Sequence, residues 1–327
     1  MTRFILRRAV GMVPTLCLIS IVSFVLIQLP PGDIVTATLK DLEQQGQQVT
    51  EERIAALRAM YHLDDPMVVQ YLRWVGDFVT GNLGYSIRYQ QPVSRLIGER
   101  VVLTVVVALA SMLFTWVVAI PAGILAAVRQ YSVVDYALTV LALLGMAVPS
   151  FVLALVMMYA GYEWFGVSVG GLFSPPYVDA PWSLGRVADL LRHVWAPMVI
   201  LGLGGAAGMI RVLRANLLDE LRKPYVVTAR AKGMRPVRLV LKYPVRLAIN
   251  PFISTVGWML PGLFSGSTII SVVLDLPTTG PLLLEALMSQ DMYLAGSFIM
   301  ILSGLTVVGT LISDVLLAVV DPRIRYE

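Results

Sequence analysis

The distribution of apolar residues constrains this chain most, because they are collected in blocks long enough to cross a lipid bilayer. A transmembrane helix needs about 20 predominantly apolar residues. Only 14% of the 327 residues are charged, against about 25% in an average soluble domain. The sequence therefore predicts an all-α polytopic membrane protein with six transmembrane helices, at residues 9–29, 101–128, 133–160, 195–215, 248–274 and 292–320.

The basic residues indicate the orientation of these spans. If the N-terminus is cytoplasmic, the segments on that side contain 16 of the 25 Lys and Arg residues and five acids. The segments on the opposite side then contain 9 basic and 15 acidic residues. Since the cytoplasmic loops of membrane proteins carry an excess of Lys and Arg, this count favours cytoplasmic N- and C-termini.

The spans divide the chain into three parts. Residues 1–29 form an N-terminal cytoplasmic segment and the first transmembrane helix, and residues 30–100 form an extracytoplasmic loop. Residues 101–327 form a five-helix core that contains a cytoplasmic loop at 216–247.

Two short helices are predicted in the extracytoplasmic loop, where they would form a small lid. The first is TEERIAALRAMY, residues 50–61, and the second is DDPMVVQYLRWVGDFVTG, residues 64–81. In the second, Asp65 is expected to cap the helix and Gly81 to end it. Its apolar residues Val68, Leu72, Val75 and Val79 share one face.

Several classes of function are disfavoured by what the sequence lacks. It has one cysteine, Cys17, and two histidines, so neither an intrachain disulfide nor a transition-metal site is expected. It has no Gly-x-x-x-x-Gly-Lys-Ser/Thr segment that could cradle phosphates. The net charge of +4 fits basic cytoplasmic loops and lipid headgroups, and nucleic acid is not expected as a partner.

The densest positive charge lies in the cytoplasmic loop, in the stretch VVTARAKGMRPVRLVLKYPVR at 226–246. Anionic lipid headgroups would suit this charge. The order of the residues nevertheless predicts a short helix through Thr228–Lys232, a left-handed stop at Gly233 and a second helix from Pro236. The small residues Ala229 and Ala231 would let another protein approach this corner closely.

Six short motifs resemble a known family in the same order along the chain. They are FILRR, YHLDDP, GNLGYS, VPSF, TARAKG and DPRIRY. The chain resembles the transmembrane permease subunit of binding-protein-dependent ABC importers, in the dipeptide/oligopeptide/nickel branch, which implies the type I ABC importer permease fold. When the cytoplasmic loop is aligned with the signature loop of the family on Gly233, Ala229 and Gly233 match that signature. It departs at Val227 and Arg246, and the peptide branch departs at the same two ends.

The resemblance implies a non-catalytic subunit of the bacterial-type cytoplasmic (inner) membrane that works by alternating access. It would form half of a pathway together with a second related permease, two ATPase subunits and an extracytoplasmic substrate-binding protein. ATP and Mg would be bound by the ATPase subunits, with no cofactor in this chain. The loop would contain the helix that couples to the ATPase, formed by Tyr225, Thr228, Ala229, Arg230, Ala231, Lys232, Gly233 and Met234.

The cargo stays open between peptides or similar small solutes and the oligosaccharides or opines that some members of this branch carry. The segment DLPTTGPLLLEAL, residues 275–287, departs from the turn typical of the branch at Asp275, Thr278 and Thr279. An intramembrane enzyme or an ion-coupled carrier is a remote alternative. The one acid within a span, Asp314, is either interfacial or part of a proton relay.

Other residues of the spans are candidates for packing or for lining a pathway. The segment GLGGAAGMIR at 202–211 predicts close helix packing through its small residues. Arg211 and Arg214, at its end, are interpreted as reaching toward headgroups or as a cytoplasmic gate. The candidates for lining a pathway, which could equally be packing residues, are Met146, Pro149, Ser150, Trp258, Pro261 and Ser265.

Overall fold

The computed structural model describes residues 2–29, 35, 55, 58–59, 62–86, 88–253 and 268–320. Its secondary structure is mostly helical, with one short antiparallel pair of strands, β1 (Tyr85–Ser86) and β2 (Gln91–Pro92). The helices are α1 (Thr2–Gln28), α2 (Met67–Val79), α3 (Val93–Val128), α4 (Val133–Ala147), α5 (Ser150–Phe165), α6 (Leu184–His193), α7 (Trp195–Leu221), α8 (Pro224–Ala231), α9 (Pro236–Lys242), α10 (Pro244–Ala248), α11 (Thr279–Met288) and α12 (Met292–Val320).

Four helices in the described part of the chain are long and apolar enough to cross a membrane. They lie at Val10–Gln28, Val93–Val128, Trp195–Leu221 and Met292–Leu316. These four coincide with the predicted first, second, fourth and sixth spans. The predicted fifth span, 248–274, falls largely on residues 254–267, which are outside the described residues.

The predicted third span, 133–160, is broken in the structure. The structure divides it into α4 and α5, which bend by 96° at the break between them. Proline has no N–H and disfavours a helical conformation in the residue before it. Accordingly, Val148 has extended dihedrals (φ −87°, ψ 119°) and Pro149 precedes the new helix. If this bent pair is one span, the described helices supply five.

One compact unit comprises residues 1–104 and 278–307. Its core is built on Val93, Ile97, Leu282, Leu294 and Phe298, all at most 2% exposed. The strand pair is held to this core by polar contacts, because the Ser86 hydroxyl donates to the Asp291 carboxylate at 2.6 Å.

The second unit comprises residues 105–277 and 308–327. Its core is built on Ala119, Leu213, Leu217, Val245 and Phe252. Helix α7 is the central element of this unit, since it packs against α3, α4, α5 and α10.

The expected close packing of the small residues of α7 is confirmed. A Cβ placed on Gly202 would lie 2.5 Å from Cδ1 of Phe114 and 3.0 Å from the carbonyl oxygen of Ser111. The Thr115 hydroxyl donates to the carbonyl of Gly202 at 3.0 Å. Glycine is therefore required here because α3 and α7 approach backbone to backbone.

The second helix predicted in the extracytoplasmic loop is confirmed as α2, but its expected cap is wrong. The helix follows Pro66 without a side-chain cap. The Asp65 carboxylate instead accepts a hydrogen bond from Arg73 at 2.9 Å. The first predicted helix, TEERIAALRAMY, falls mostly outside the described residues, as only 55 and 58–59 are covered.

Candidate functional site

Helix α8 forms the first arm of the predicted coupling corner. Proline is tolerated at the first helical position, since that residue has no backbone partner inside the helix. Pro224 occupies that position, after the extended residue Lys223. The helix ends at Ala231, two residues before the stop that the sequence predicts at Gly233.

The corner itself is made by Gly233, whose φ is +76°. Backbone hydrogen bonds close the turn, from Gly233 N–H to the Arg230 carbonyl at 3.0 Å and from Met234 N–H to the Ala229 carbonyl at 3.3 Å. Only glycine adopts this left-handed conformation without a steric penalty. The second arm, α9, then begins at Pro236. The helix–corner–helix predicted from the sequence is therefore present.

Buried apolar residues fix both arms to the rest of the second unit. Val226 of α8 and Leu239 of α9 are 1% and 2% exposed. The rings of Tyr225 and Tyr243 lie 6.4 Å apart, centroid to centroid. The Tyr225 hydroxyl donates to the Glu220 carboxylate at 2.6 Å, which ties α8 to the last turn of α7. Burial and this carboxylate raise the pKa of the Tyr225 phenol above its ordinary value, which favours the hydroxyl as the donor of this hydrogen bond.

The opposite side of the corner is open. Thr228, Arg230, Ala231, Lys232 and Gly233 are exposed, while Ala229 and Met234 are half-buried. No heavy atom lies within 4 Å of a Cβ placed on Gly233. The two arms and Gly233 therefore form an exposed crest, which carries the positive charges of Arg230 and Lys232.

Behind the corner, helix α10 connects it to the core of the unit. Val245 and Ala248 of α10 are buried against α7, where Leu213 and Leu217 are fully buried. Phe252 contacts the ring of Trp116 on α3 at 6.4 Å between centroids. A displacement of the corner would consequently act on the packed interior of the unit.

Three of the candidate pathway residues lie together at the break between α4 and α5. Met146 and Pro149 are exposed and Ser150 is half-buried. The Met146 sulfur is 3.7 Å from a guanidinium nitrogen of Arg211. A Cβ on Gly204 would lie 3.8 Å from the Ser150 hydroxyl, so the break faces the glycine-rich part of α7. Trp258, Pro261 and Ser265 lie outside the described residues.

The interpretation of Arg214 as a group reaching toward headgroups is wrong. Its guanidinium forms a two-pronged ion pair with the Asp135 carboxylate, with both nitrogen–oxygen distances 2.7 Å. Asp135 is 2% exposed and also accepts a hydrogen bond from the backbone N–H of Tyr131 at 2.9 Å. The sequence analysis missed this pair, although opposite charges at the same predicted end of adjacent spans were a usable signal.

The atypical threonines of the 275–287 segment have a structural explanation. Thr278 and Thr279 are buried. The Thr279 backbone N–H donates to the Thr104 hydroxyl at 2.9 Å, and the two hydroxyls are 3.1 Å apart. Thr279 therefore has a structural role in the first unit, where it satisfies buried polar groups together with Thr104.

A polar network follows in the same unit. The Arg88 guanidinium is 2.9 Å from the Glu285 carboxylate, which also accepts a hydrogen bond from the Tyr89 hydroxyl. The Tyr89 hydrogen bond and the Arg88 charge hold the pKa of Glu285 below its ordinary value, although burial opposes the shift. Burial and Glu285 together raise the pKa of Tyr89 to about 12.

Comparison with known families assigns the chain. Residues 119–326 match the family described as "Binding-protein-dependent transport system inner membrane component". Residues 1–108 match the corresponding N-terminal family, "Binding-prot-dependent transport system membrane comp, N-term". The chain belongs to this permease family. The resemblance given by the six motifs is thereby confirmed, and the permease is a membrane subunit of a binding-protein-dependent ABC importer.

Relatives from several bacteria align with the permease from end to end. It is 34% identical over 330 residues to the oligopeptide transport system permease protein AppB of Bacillus subtilis, with all of both chains covered. It is 34% identical over 331 residues to a putative peptide permease protein of Brucella suis, with 99% of each chain covered. It is 31% identical over 330 residues to the oligopeptide transport system permease protein OppB of Salmonella typhimurium, again with full coverage.

Proposed function

We propose that the permease carries peptides across a bacterial cytoplasmic membrane as one half of an ATP-driven importer. The names of AppB and OppB, which refer to oligopeptide transport, support this cargo. The burial of Thr278 and Thr279 and the hydrogen bonds of Thr279 give the atypical turn a structural explanation, so the turn does not count against peptides. In the proposed topology the chain has six spans, and both termini lie in the cytoplasm. The excess of Lys and Arg on that side supports this orientation.

The proposed complex contains this chain, a second related permease, two ATPase subunits and an external substrate-binding protein. ATP and Mg bind to the ATPase subunits, and this chain is not catalytic. The observation that carries the proposal is the open crest formed by α8, Gly233 and α9. Its small residues fit a groove in the ATPase, and its Arg and Lys side chains favour acidic residues at the rim of that groove.

In this mechanism, closure of the two ATPase subunits on ATP moves the crest. Val226 and Leu239 hold the crest to the unit, and α10 holds it to α7. The motion therefore reaches α7 and the break at Pro149, where Met146 and Ser150 would line the pathway. Binding of ATP and of the loaded binding protein would favour opposed states of one alternating-access cycle.

Replacing Gly233 by tryptophan tests the docking role. In the reconstituted complex, G233W should reduce co-purification of the ATPase subunits and abolish the hydrolysis that loaded binding protein stimulates. Asparagine tolerates the left-handed conformation, so Gly233→Asn should retain most of the activity.

Gly81 provides a matched control on the other side of the proposed membrane. Its φ is +84°, and it also has no heavy atom within 4 Å of an added Cβ. G81W should therefore introduce the same backbone strain without affecting hydrolysis. Unchanged assembly and hydrolysis in G233W, or an equal loss in both tryptophan variants, would contradict docking at the corner.

The cargo is tested separately by uptake into vesicles that contain the complete importer. A labelled oligopeptide should accumulate when ATP is present, and unlabelled peptides should compete with it. Competition by oligosaccharides instead, or uptake of a labelled opine at a higher rate, would overturn the peptide assignment while leaving the docking role intact.

A further inference from the structure

Helix α2 presents an exposed apolar face. This face, called here the apolar face of α2, consists of Val68, Leu72 and Val79, which are 68%, 62% and 78% exposed. A contiguous set of exposed aliphatic side chains is unfavourable in water. Faces of this kind mark sites that contact another protein or a membrane.

The remaining two sides of α2 have different chemistry. Tyr71, Trp74 and Phe78 form an aromatic side, with Trp74 only 3% exposed. Arg73 and Asp77 lie on a polar side, which is roughly opposite the apolar face because successive helical residues are about 100° apart. A helix with apolar and polar faces on opposite sides is typical of segments that lie in the plane of a membrane interface.

The contacts of the aromatic side show which part of α1 lies beside α2. The ring of Phe24 is 5.4 Å from that of Tyr71 and 6.2 Å from that of Trp74, between centroids. The Tyr71 hydroxyl is 2.8 Å from the Ser20 hydroxyl. Gln28, at the end of α1, donates to the side-chain carbonyl of Gln70 at 3.1 Å. Helix α2 therefore lies against the last two turns of a membrane-length helix.

Distances along α1 set the depth of these contacts. Ser20 is eight residues before Gln28, which is about 12 Å along a helix. The apolar stretch Val10–Gln28 is 19 residues, about the thickness of the hydrocarbon core. The Tyr71 phenol thus reaches deep into the hydrocarbon region, and the body of α2 lies at the level between Ser20 and Gln28.

We propose that α2 lies within the membrane leaflet at the Gln28 end of α1, with its apolar face among the lipid acyl chains. The exposed apolar side of α1, which includes Ile21, Val25 and Leu26, continues this lipid-facing surface. The polar side of α2, with the Arg73–Asp65 ion pair, faces the headgroups and water. In the proposed topology this is the outer leaflet, so α2, which was predicted to form part of a small lid, is an interfacial membrane anchor.

Spin labels on adjacent residues test this placement. The native cysteine is first removed with Cys17→Ser, and the complete importer is reconstituted in vesicles with a nitroxide on Leu72→Cys or on Arg73→Cys. Leu72 and Arg73 are consecutive residues, about 100° apart around α2, and both are exposed. One lies on the apolar face and the other on the polar side, which makes them a matched pair. The collision rates of each label with oxygen and with a water-soluble nickel chelate are then measured.

The ratio of collisions with oxygen to collisions with the nickel chelate should be several-fold higher for the Leu72 label than for the Arg73 label. The depth of the Leu72 label that follows from this ratio should lie inside the hydrocarbon boundary. A label on Val68→Cys should behave like the one on Leu72. Equal access of the nickel chelate to all three labels would place the face in water and overturn the proposal. Protection of Leu72 and Val68 from both probes would also overturn it, because another protein would then cover the face.

Retained stimulated hydrolysis by each labelled importer would verify that the variants are folded. The placement of α2 is tested by collision rates, whereas the docking role proposed for Gly233 is tested by assembly and hydrolysis. Either proposal can therefore fail without the other.

Discussion

Replacing Arg214 by methionine should leave the Asp135 carboxylate buried without its cation. Both oxygens of Asp135 lie 2.7 Å from guanidinium nitrogens of Arg214, and the aspartate is 2% exposed. The hydrogen bond from the Tyr131 backbone N–H, at 2.9 Å, would remain. Methionine keeps most of the length of the arginine side chain, so the substitution tests the charge and leaves the packing largely intact.

The expected cost follows from the burial of the pair. Removing one partner of a buried ion pair costs about 3–5 kcal/mol. Because the Arg214 side chain is 27% exposed, water can partly replace it, and the lower end of this range, about 3 kcal/mol, is expected. At about 2–4 °C for each kcal/mol, the apparent unfolding temperature should fall by about 6–12 °C.

Arg211 supplies the matched control. It lies one helical turn earlier on α7 and is exposed, and it contacts the Met146 sulfur at 3.7 Å. Arg211→Met should change the free energy of unfolding by no more than about 0.5 kcal/mol. Both variants are compared in the purified importer at one heating rate, because unfolding of such a complex is irreversible.

The double variant Asp135→Asn/Arg214→Met distinguishes a paired charge from simple loss of packing. Asparagine removes the buried charge but can still accept the Tyr131 hydrogen bond. The double variant should therefore be more stable than Arg214→Met alone, with a coupling energy of about 2 kcal/mol or more. If the stability losses of the two substitutions simply add in the double variant, Asp135 and Arg214 are not coupled. An equal loss of stability in Arg211→Met and Arg214→Met would likewise contradict a buried ion pair.

Two further predictions concern helix packing and pH. Gly202→Ala should destabilise the permease by about 1–3 kcal/mol through overpacking against α3, whereas Gly208→Ala, with nothing within 4 Å of the added Cβ, should be neutral or stabilising by up to about 1 kcal/mol. Thermal unfolding of both variants measures the difference, and equal effects would contradict the close approach. The folded-state pKa of Glu285 is lowered, so its stabilising contribution is present above pH 4.5 and is lost as the pH falls through the folded-state value. Glu285→Gln should therefore reduce the fall in apparent unfolding temperature below pH 4.5, and an unchanged acid profile would contradict this role.

The class of the protein and the geometry of the corner could be predicted from the sequence alone. Hydropathy over a window of about 20 residues reports directly on insertion into lipid, and four of the predicted spans coincide with membrane-length helices. The corner was predictable because its determinants are local. A left-handed glycine at 233 and a proline at 236 fix the backbone within a few residues, whatever the rest of the fold does.

Other features depend on contacts between residues that are far apart in the sequence, and only the structure shows them. Asp135 and Arg214 are 79 residues apart, so no local pattern pairs them. The predicted apolar face of α2 is real, but the aromatic side is the one that packs on α1. Apolar periodicity cannot distinguish these sides, because in a membrane protein lipid-facing and packing surfaces are both apolar. Likewise, a proline at position 149 accounts locally for a break, but the 96° angle depends on what α4 and α5 pack against.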